Sequence, residues 1–528
     1  MNSAEFSFGS LDERVNQALE QAQRENIAER ILAKDASVWT ADAPVAAMIK
    51  KSLGWLTVAE SMLGVAGELR EFAGDVRHRF QHVMVCGMGG SSLCPEVLAR
   101  TFGHQQGFPE LLVLDSTDPD VIASFLARID VEKCLFVIAS KSGTTTEPNV
   151  FYKFWYDRVP SGENFVAITD PGTPLIETAE SRNFCGIFLN QADIGGRYSA
   201  LSYFGMLPAA LMGLDIRKLL QFEKRIDDAL KLGVAIGECA NAGRDKLTLL
   251  IDPKLASLGL WIEQLIAEST GKQGKGILPV AGESLGDTSV YGDDRVFVAI
   301  SLGESDFDVG ALAQAGHPLI RRRLDNLTDL GAEFFAWEFA TACAGWRLGI
   351  NPFDQPNVQE AKDVTKELLE EFSQRGSLPQ SPDLTPTTPR DESVKRQLAQ
   401  IKPGDYIAFL NYIEETAAVD RKLQEIRIRL RDQTHCATTI GYGPRFQHST
   451  GQLHKGGPNS GVFFQLNAKD KNDFPVPGEA YSFSTLKEAQ ALGDFRALKT
   501  HGRRVVRIDL GDDLIAGLSQ LEEACKSS

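Results

Sequence analysis

Between residues 82 and 189 the chain alternates short apolar runs with helix-forming stretches, and this alternation restricts its fold more than any other feature. The runs are 82–86, 111–115, 135–139, 165–169 and 186–189. Each holds four or five residues and is almost wholly apolar, as strands covered on both faces are. Helical stretches at 96–102, 119–129, 149–156 and 174–180 separate them. Such alternation predicts a doubly wound parallel sheet. A second unit of the same type begins at a strand over 246–251. It continues with a helix over 255–268, strands at 296–300 and 319–324, and a long helix over 328–348. A third, smaller α/β unit carries strands at 405–410, 437–440, 462–466 and 505–509, with helices over 414–430 and 485–498 between them. Residues 10–75 read as helical, chiefly over 18–32 and 55–72, and a charged helical connection spans 217–245. Segment 374–392 is rich in Pro, Ser and Thr and reads as a linker. The expected division is therefore 1–75 helical, 76–216 and 217–373 as two sheet units, 374–392 as linker and 393–528 as the third unit.

Charge narrows the function. Lys and Arg number 55 against 71 Asp and Glu, a formal net charge of −16. That balance argues against a general binder of nucleic acid or anionic membranes. An anionic substrate would need a local basic site. The eight cysteines are scattered, and Cys86, Cys134 and Cys343 sit in apolar runs, as reduced core cysteines do. The first residues lack a basic n-region and an h-region, and no apolar stretch reaches membrane-spanning length. A cytoplasmic setting is expected.

Six clusters carry candidate chemistry. Ser140-Lys-Ser-Gly-Thr-Thr-Thr-Glu147 lies where the 135–139 strand turns into a helix. Free N–H groups and partial positive charge gather at a helix start, and hydroxyls, one Lys and one Gly there make a phosphate cradle. An ordinary N-capped loop has the same composition, so the cluster alone does not decide. Gly87-Met-Gly-Gly-Ser91-Ser92 follows the 82–86 strand, where glycines let the backbone approach a ligand. Gly195-Gly196-Arg197 sets a fork of donors beside a flexible turn. Gln264 and Glu268 share a helix face, with Glu268 at the border of the stripe formed by Leu258, Trp261, Ile262 and Leu265. A half-buried carboxylate there suits a general base, and a helix-terminal pair with Lys272 is the plainer alternative. Lys362 lies about a turn inside the helix that follows Asn351-Pro-Phe-Asp-Gln-Pro. Residues 441–458 are dense in Gly and polar side chains and hold His448 and His454. A paired-His metal site is disfavoured by their spacing and by the lack of nearby carboxylates, so one His as acid or base is the better reading.

Together and in this order the clusters resemble the phosphoglucose isomerase family, which is built from two sugar isomerase (SIS) domains. The resemblance spans roughly residues 45–370. It implies Ser91, Ser140, Lys141, Ser142 and Thr145 as phosphate ligands, with Gly90, Gly196 and Gln264 also lining the substrate. It implies Arg197 as stabiliser of the intermediate, Glu268 as the base and Lys362 as a further catalytic group. In most of the family a Gln-His-Ser motif lies between the Glu and Lys motifs and comes from the neighbouring subunit. Here residues 282–292 hold no His, and Gln447-His448-Ser449 stands in the C-terminal unit instead. In this the chain resembles the isomerase half of bacterial transaldolase–isomerase fusions, without the transaldolase part. His448 is the expected ring-opening residue, His454 its rival, and action within one chain or between chains is open.

The resemblance implies interconversion of glucose 6-phosphate and fructose 6-phosphate through a cis-enediolate. No metal or cofactor is expected; a sugar phosphate as ligand and a homodimer are. Three other readings compete. A non-catalytic SIS module that senses sugar phosphates needs the cradles but not Glu268, Arg197 and Lys362. An isomerase that also accepts mannose 6-phosphate fits the same motifs. An amidotransferring synthase needs an N-terminal Cys nucleophile, and position 2 is Asn.

Overall fold

A computed structural model describes residues 4–304, 307–379 and 390–526. In chain order its strands are β1 (Glu5–Ser7), β2 (His82–Cys86), β3 (Glu110–Leu114), β4 (Cys134–Ala139), β5 (Phe165–Thr169), β6 (Gly186–Leu189), β7 (Lys246–Ile251), β8 (Leu278–Val280), β9 (Arg295–Leu302), β10 (Leu319–Leu324), β11 (Tyr406–Tyr412), β12 (Ala437–Tyr442), β13 (Gly461–Asn467) and β14 (Arg504–Asp509). They form three sheets, ordered β3-β2-β4-β5-β6, β1-β10-β9-β7-β8 and β12-β11-β13-β14. Every pairing is parallel except that of β1 on β10.

The three parallel runs share one strand order. The first strand lies inside, the second on one side of it and the third on the other: β2 between β3 and β4, β7 between β8 and β9, β11 between β12 and β13. Loops that leave the carboxyl ends of such strands turn in opposite directions and open a crevice, the usual ligand position in an open α/β sheet. The inner strands are apolar on both faces because helices cover both. All residues of β4 and β5 are buried.

Three differences from the expected elements have local causes. The stretch over 18–32 is not one helix, because Asn26 takes a left-handed backbone (φ 51°) between Asp12–Arg24 and Ile27–Leu32; Asn tolerates that conformation better than most residues. The N-terminal segment, expected to be helical, also supplies β1 to the second sheet. Three residues are too few to show a period. β8 holds only Leu278-Pro279-Val280 and pairs with β7 alone. A proline, lacking the N–H, is tolerated at a sheet edge. The centre of the Pro/Ser/Thr-rich segment, 380–389, lies outside the described residues; residues 374 and 375 close the Val358–Arg375 helix, and Arg390–Leu398 begins another.

Buried charges dock the third unit on the other two. Arg295 on β9 donates to both oxygens of Glu283 at 3.0 and 3.4 Å, with both side chains inaccessible to solvent. Glu283 also accepts from the backbone N–H (3.2 Å) and hydroxyl (2.9 Å) of Thr438 on β12. Arg427 donates to the Ala281 carbonyl at 3.0 Å and to the Thr438 carbonyl. On the first unit, Arg445 grips Asp115 with two bonds of 2.9 Å, and Lys487 reaches Asp118 at 2.8 Å. Breaking a buried pair by removing one partner typically costs ~3–5 kcal/mol. The contact is thus specific to one relative placement of the units.

One buried acid has no such partner. Glu338, on the Leu330–Leu348 helix, is inaccessible, and among the described residues neither carboxyl oxygen finds a hydrogen-bond partner. Burial pushes its carboxyl well above the ordinary 4.5. The native chain then keeps a proton that the unfolded chain loses above that value. Stability therefore falls as pH rises from 4.5 toward the folded value. Glu338→Gln removes that penalty. Its melting temperature minus that of the wild type is expected to grow between about pH 5 and 8, read by calorimetry; a pH-independent difference contradicts a neutral Glu338.

Candidate active site

The two glycine- and hydroxyl-bearing turns leave the carboxyl ends of the adjacent strands β2 and β4. After β2 the chain makes the Gly89–Ser91 turn and enters the Leu93–Phe102 helix. A Cβ on Gly90 would lie 1.9 Å from the Gly196 carbonyl oxygen, so only glycine lets these turns touch. Gly89 has a left-handed backbone (φ 55°), and a Cβ there would meet the Gln264 amide at 2.6 Å and the His448 carbonyl at 3.0 Å.

After β4, residues 140–145 curl into the Thr146–Arg158 helix. The Ser140 hydroxyl donates to Thr145 Oγ1 at 3.2 Å, and the hydroxyls of Ser142 and Thr144 are 2.9 Å apart. First-turn N–H groups of a helix have no intrahelical acceptors, so this end is suited to an anion. Lys141 stands beside it, its ammonium on Asp170 and, at 3.3 Å, on the Ala192 carbonyl.

Arg197 is 3% exposed. Its Nε donates to Ser269 at 2.7 Å, and Nη2 donates to the carbonyls of Pro352 (2.7 Å) and Asp354 (3.1 Å). Nη1 donates to Gln355 at 2.9 Å and lies 3.3 Å from Glu268 Oε1. Lys272 fastens the same turn from below, through the Asn351 carbonyl at 2.8 Å and the Asp354 carboxylate at 2.6 Å. Burial and the nearby Arg197 bring its ammonium down to about 8, against the pull of Asp354. The plainer alternative for Glu268, a pair with Lys272, is not formed: Lys272 pairs with Asp354 and Glu268 with Arg197.

Glu268 and Gln264 sit on the Leu258–Thr270 helix, of which all but Leu260 is buried. Gln264 Nε2 donates to Glu268 Oε2 at 3.2 Å and to the His448 carbonyl at 2.7 Å. The apolar stripe and its polar border are thus both covered, the border by the first unit and by the turn that bears His448.

That turn, Arg445–His448, follows β12. His448 Nε2 lies 3.3 Å from Glu147 Oε1. Burial works to raise the Glu147 carboxyl, but the charge and hydrogen bond of His448, with Lys362 beyond, hold it below the usual value. His454 is elsewhere. It is 2% exposed among Tyr406, Phe446 and Phe463, both ring nitrogens are without hydrogen-bond partners among the described residues, and burial keeps it neutral by lowering it well below 6.5.

These parts enclose one cleft of about 1090 Å³. Gly90, Ser91, Lys141, Ser142, Thr145, Gly196, Arg197, Gln264, Glu268, Lys362 and His448 all line it, Lys362 from its exposed rim. Ser140 does not; it is 2% exposed and supports Thr145 from behind. Sequence reasoning gave no role to Glu147, Gln355 or Gln490, which also line the cleft. Glu147 closes the 140–147 motif and was within reach of a closer reading. Gln490 comes from a helix some 340 residues away and carries no local signal.

The open parallel α/β sheets set the anion-suited turns at a switch point, and this fold is shared with solved structures. A glucose-6-phosphate isomerase from Chlamydia trachomatis superposes with TM-score 0.53 at 19% identity, over 75% of this chain and 91% of that one. A Thermus thermophilus protein described as hypothetical does so with TM-score 0.57 at 22% identity, over 69% and 99%. Residues 13–233 match the family described as phosphoglucose isomerase. A glucose-6-phosphate isomerase from Rubrobacter xylanophilus is 29% identical over 377 residues, 58% of this chain and 85% of the relative. A probable glucose-6-phosphate isomerase from Methanococcus maripaludis is 27% identical over 377 residues, 60% and 84%. Over these stretches the chain is similar to the phosphoglucose isomerase family.

The contact of Gly90 with the Gly196 carbonyl gives a direct check. Gly90→Ala is expected to cost ~1–3 kcal/mol of stability and to push the two turns apart. An unchanged melting temperature, with the turn unmoved in a crystal structure of the variant, contradicts that contact.

Proposed function

We propose that the protein interconverts glucose 6-phosphate and fructose 6-phosphate by moving one proton between C2 and C1. One observation carries the reading. A carboxylate held beside a guanidinium, an imidazole held beside a second carboxylate, and two anion-suited turns face the same cleft.

The phosphate docks on the turns after β2 and β4, taken by Ser91, Ser142, Thr145, helix-start N–H groups and the ammonium of Lys141. His448 and Lys362 move protons between the ring oxygen and the C1 or C2 hydroxyl, which opens the sugar. Glu268 takes the C2 proton of the open aldose as its carboxylate. The electron pair moves into a C1–C2 double bond, and the oxygens form a cis-enediolate. A proton passes from O2 to O1 of the enediolate, Glu268 returns its proton to C1, and the ketose, with C2=O and a C1 hydroxyl, results. Arg197 offsets the negative charge that develops on the oxygens, usually the largest contribution in such sites. Four hydrogen bonds and the 3.3 Å ion pair with Glu268 hold its side chain in the free protein, so the guanidinium is already aimed and little reorganisation is needed at the moment of reaction. The 140–147 cradle and β12 belong to one chain, which supports a site completed without a second subunit.

Glu268→Gln is expected to lower kcat by ~10³-fold or more while sugar phosphate still binds, measured by a coupled assay and by calorimetric titration; a sensor would have no turnover to lose. His448→Ala is expected to lose ~10²-fold on cyclic substrate, and much less on the open-chain form. A mixture of Glu268→Gln and His448→Ala chains, refolded together, is expected to stay inactive. Recovery of activity contradicts a one-chain site.

A further inference from the structure

The Phe483–Thr500 helix of the third unit sends one neutral side chain into the wall of the cleft. Gln490 is 3% exposed and held by several hydrogen bonds, one of them from the Tyr412 hydroxyl to its backbone carbonyl at 3.5 Å. Its Oε1 accepts from the Thr117 hydroxyl at 2.7 Å. Its Nε2 donates to Glu147 Oε1 at 2.6 Å. Its backbone carbonyl accepts from Gln447 Nε2 at 2.9 Å. Thr117 follows β3 in the first unit, and Gln447 precedes His448. One residue therefore ties the first sheet, the carboxylate beside the histidine, and the turn that bears the histidine.

The oxygen that Gln490 holds is the one that faces His448 Nε2. An amide turned the other way would set its carbonyl oxygen against the carboxylate, so the orientation goes with an ionised Glu147. The charged and titratable groups around that carboxylate are His448 from the Arg445–His448 turn, Lys362 from the Val358–Arg375 helix, and the phenol of Tyr481 ahead of the Phe483–Thr500 helix. Lys362 is exposed on a long, flexible side chain, whereas Gln490 is buried and fixed. The amide is thus the buried, uncharged donor that keeps the lone pairs of this oxygen occupied.

We propose that Gln490 is a positioning residue for proton transfer at His448: it holds the Glu147 carboxylate ionised and directed at the imidazole. The inference rests on the isomerase reading above. It also gives the third unit a part in the chemistry beyond carrying the histidine. Without the amide donor, a buried carboxylate oxygen loses a charge-assisted hydrogen bond. Glu147 then shifts toward its neutral form, and the imidazole becomes a weaker base.

The test compares wild type with Gln490→Met and Thr117→Val in two readouts. The first is the titration of the His448 ring by NMR, assigned by its loss in His448→Gln. The midpoint is expected to fall by at least about half a pH unit in Gln490→Met, and in the same direction by less in Thr117→Val, which keeps the volume and frees only the far end of the amide. The second is turnover of fructose 6-phosphate. Gln490→Met is expected to lower kcat about tenfold, with KM changed by less than about twofold. In a Glu147→Gln background the same substitution is expected to add less than about twofold, because the carboxylate it acts through is gone. An unchanged His448 midpoint in folded Gln490→Met overturns the inference, as does a full tenfold loss on top of Glu147→Gln. A wild type without turnover would overturn the isomerase reading instead, and the ring titration would still decide the role of the amide.

Discussion

The buried guanidinium of Arg197 is the constraint on which the site depends. A charge removed from water is costly unless it is paired and fully hydrogen-bonded. Here its nitrogens hydrogen-bond Ser269 on the Leu258–Thr270 helix and Pro352, Asp354 and Gln355 on the turn before the Val358–Arg375 helix, and pair with Glu268 on the first of these helices. Arg197 itself stands on a turn of the first unit. Three segments must therefore be in register for the charge to be satisfied, and the register that satisfies it is the one that brings Glu268 to the cleft. The close contact of Gly90 with Gly196 works to the same end from the other side, because it sets how far the Gly89–Ser91 turn lies from the guanidinium. The Arg197 guanidinium, the Glu268 carboxylate and that turn are in this sense one object, held by the desolvation cost of a single side chain.

The third unit extends that object. It brings its own parallel sheet, of the same strand order as the other two, and docks through the Arg445–Asp115 ion pair on the first unit and, on the second, through Thr438 on the Arg295-paired Glu283 and Arg427 on the Ala281 carbonyl. Buried pairs contribute little net stability against an apolar alternative, but one partner without the other is strongly unfavourable. They therefore select a single docking geometry. The Arg445–Asp115 grip begins the turn that ends in His448, so the geometry it selects is also the position of the imidazole.

Much of this was legible in the chain, for reasons that differ by element. Strands over 165–169, 186–189 and 246–251 are largely apolar runs bounded by turn residues, and the structure begins and ends them at those positions. β1 and β8 are three residues long, and tertiary pairing alone makes them strands. Of the site, Ser142, Arg197, Gln264, Glu268 and Lys362 were visible because each stands in a local pattern whose residue types suit one chemistry. Ser140 was read as a ligand for the same reason, yet its hydroxyl is spent on Thr145. The choice between His448 and His454 could not be made from spacing. Six residues separate them, and only packing decides that one faces the cleft and the other stacks in an aromatic core. Gln490 lay out of reach altogether, since its significance is a contact between distant segments.

The most direct test of the central claim is a crystal structure with a five-carbon aldonic acid phosphate, whose carboxylate mimics the enediolate. The account predicts the phosphate on the turns bearing Ser91, Ser142 and Thr145, with the acid end against Arg197 and its carboxyl carbon within about 3.5 Å of the Glu268 carboxylate. An analogue bound with its acid end turned away from Arg197, or with Glu268 facing no carbon of it, would contradict the account.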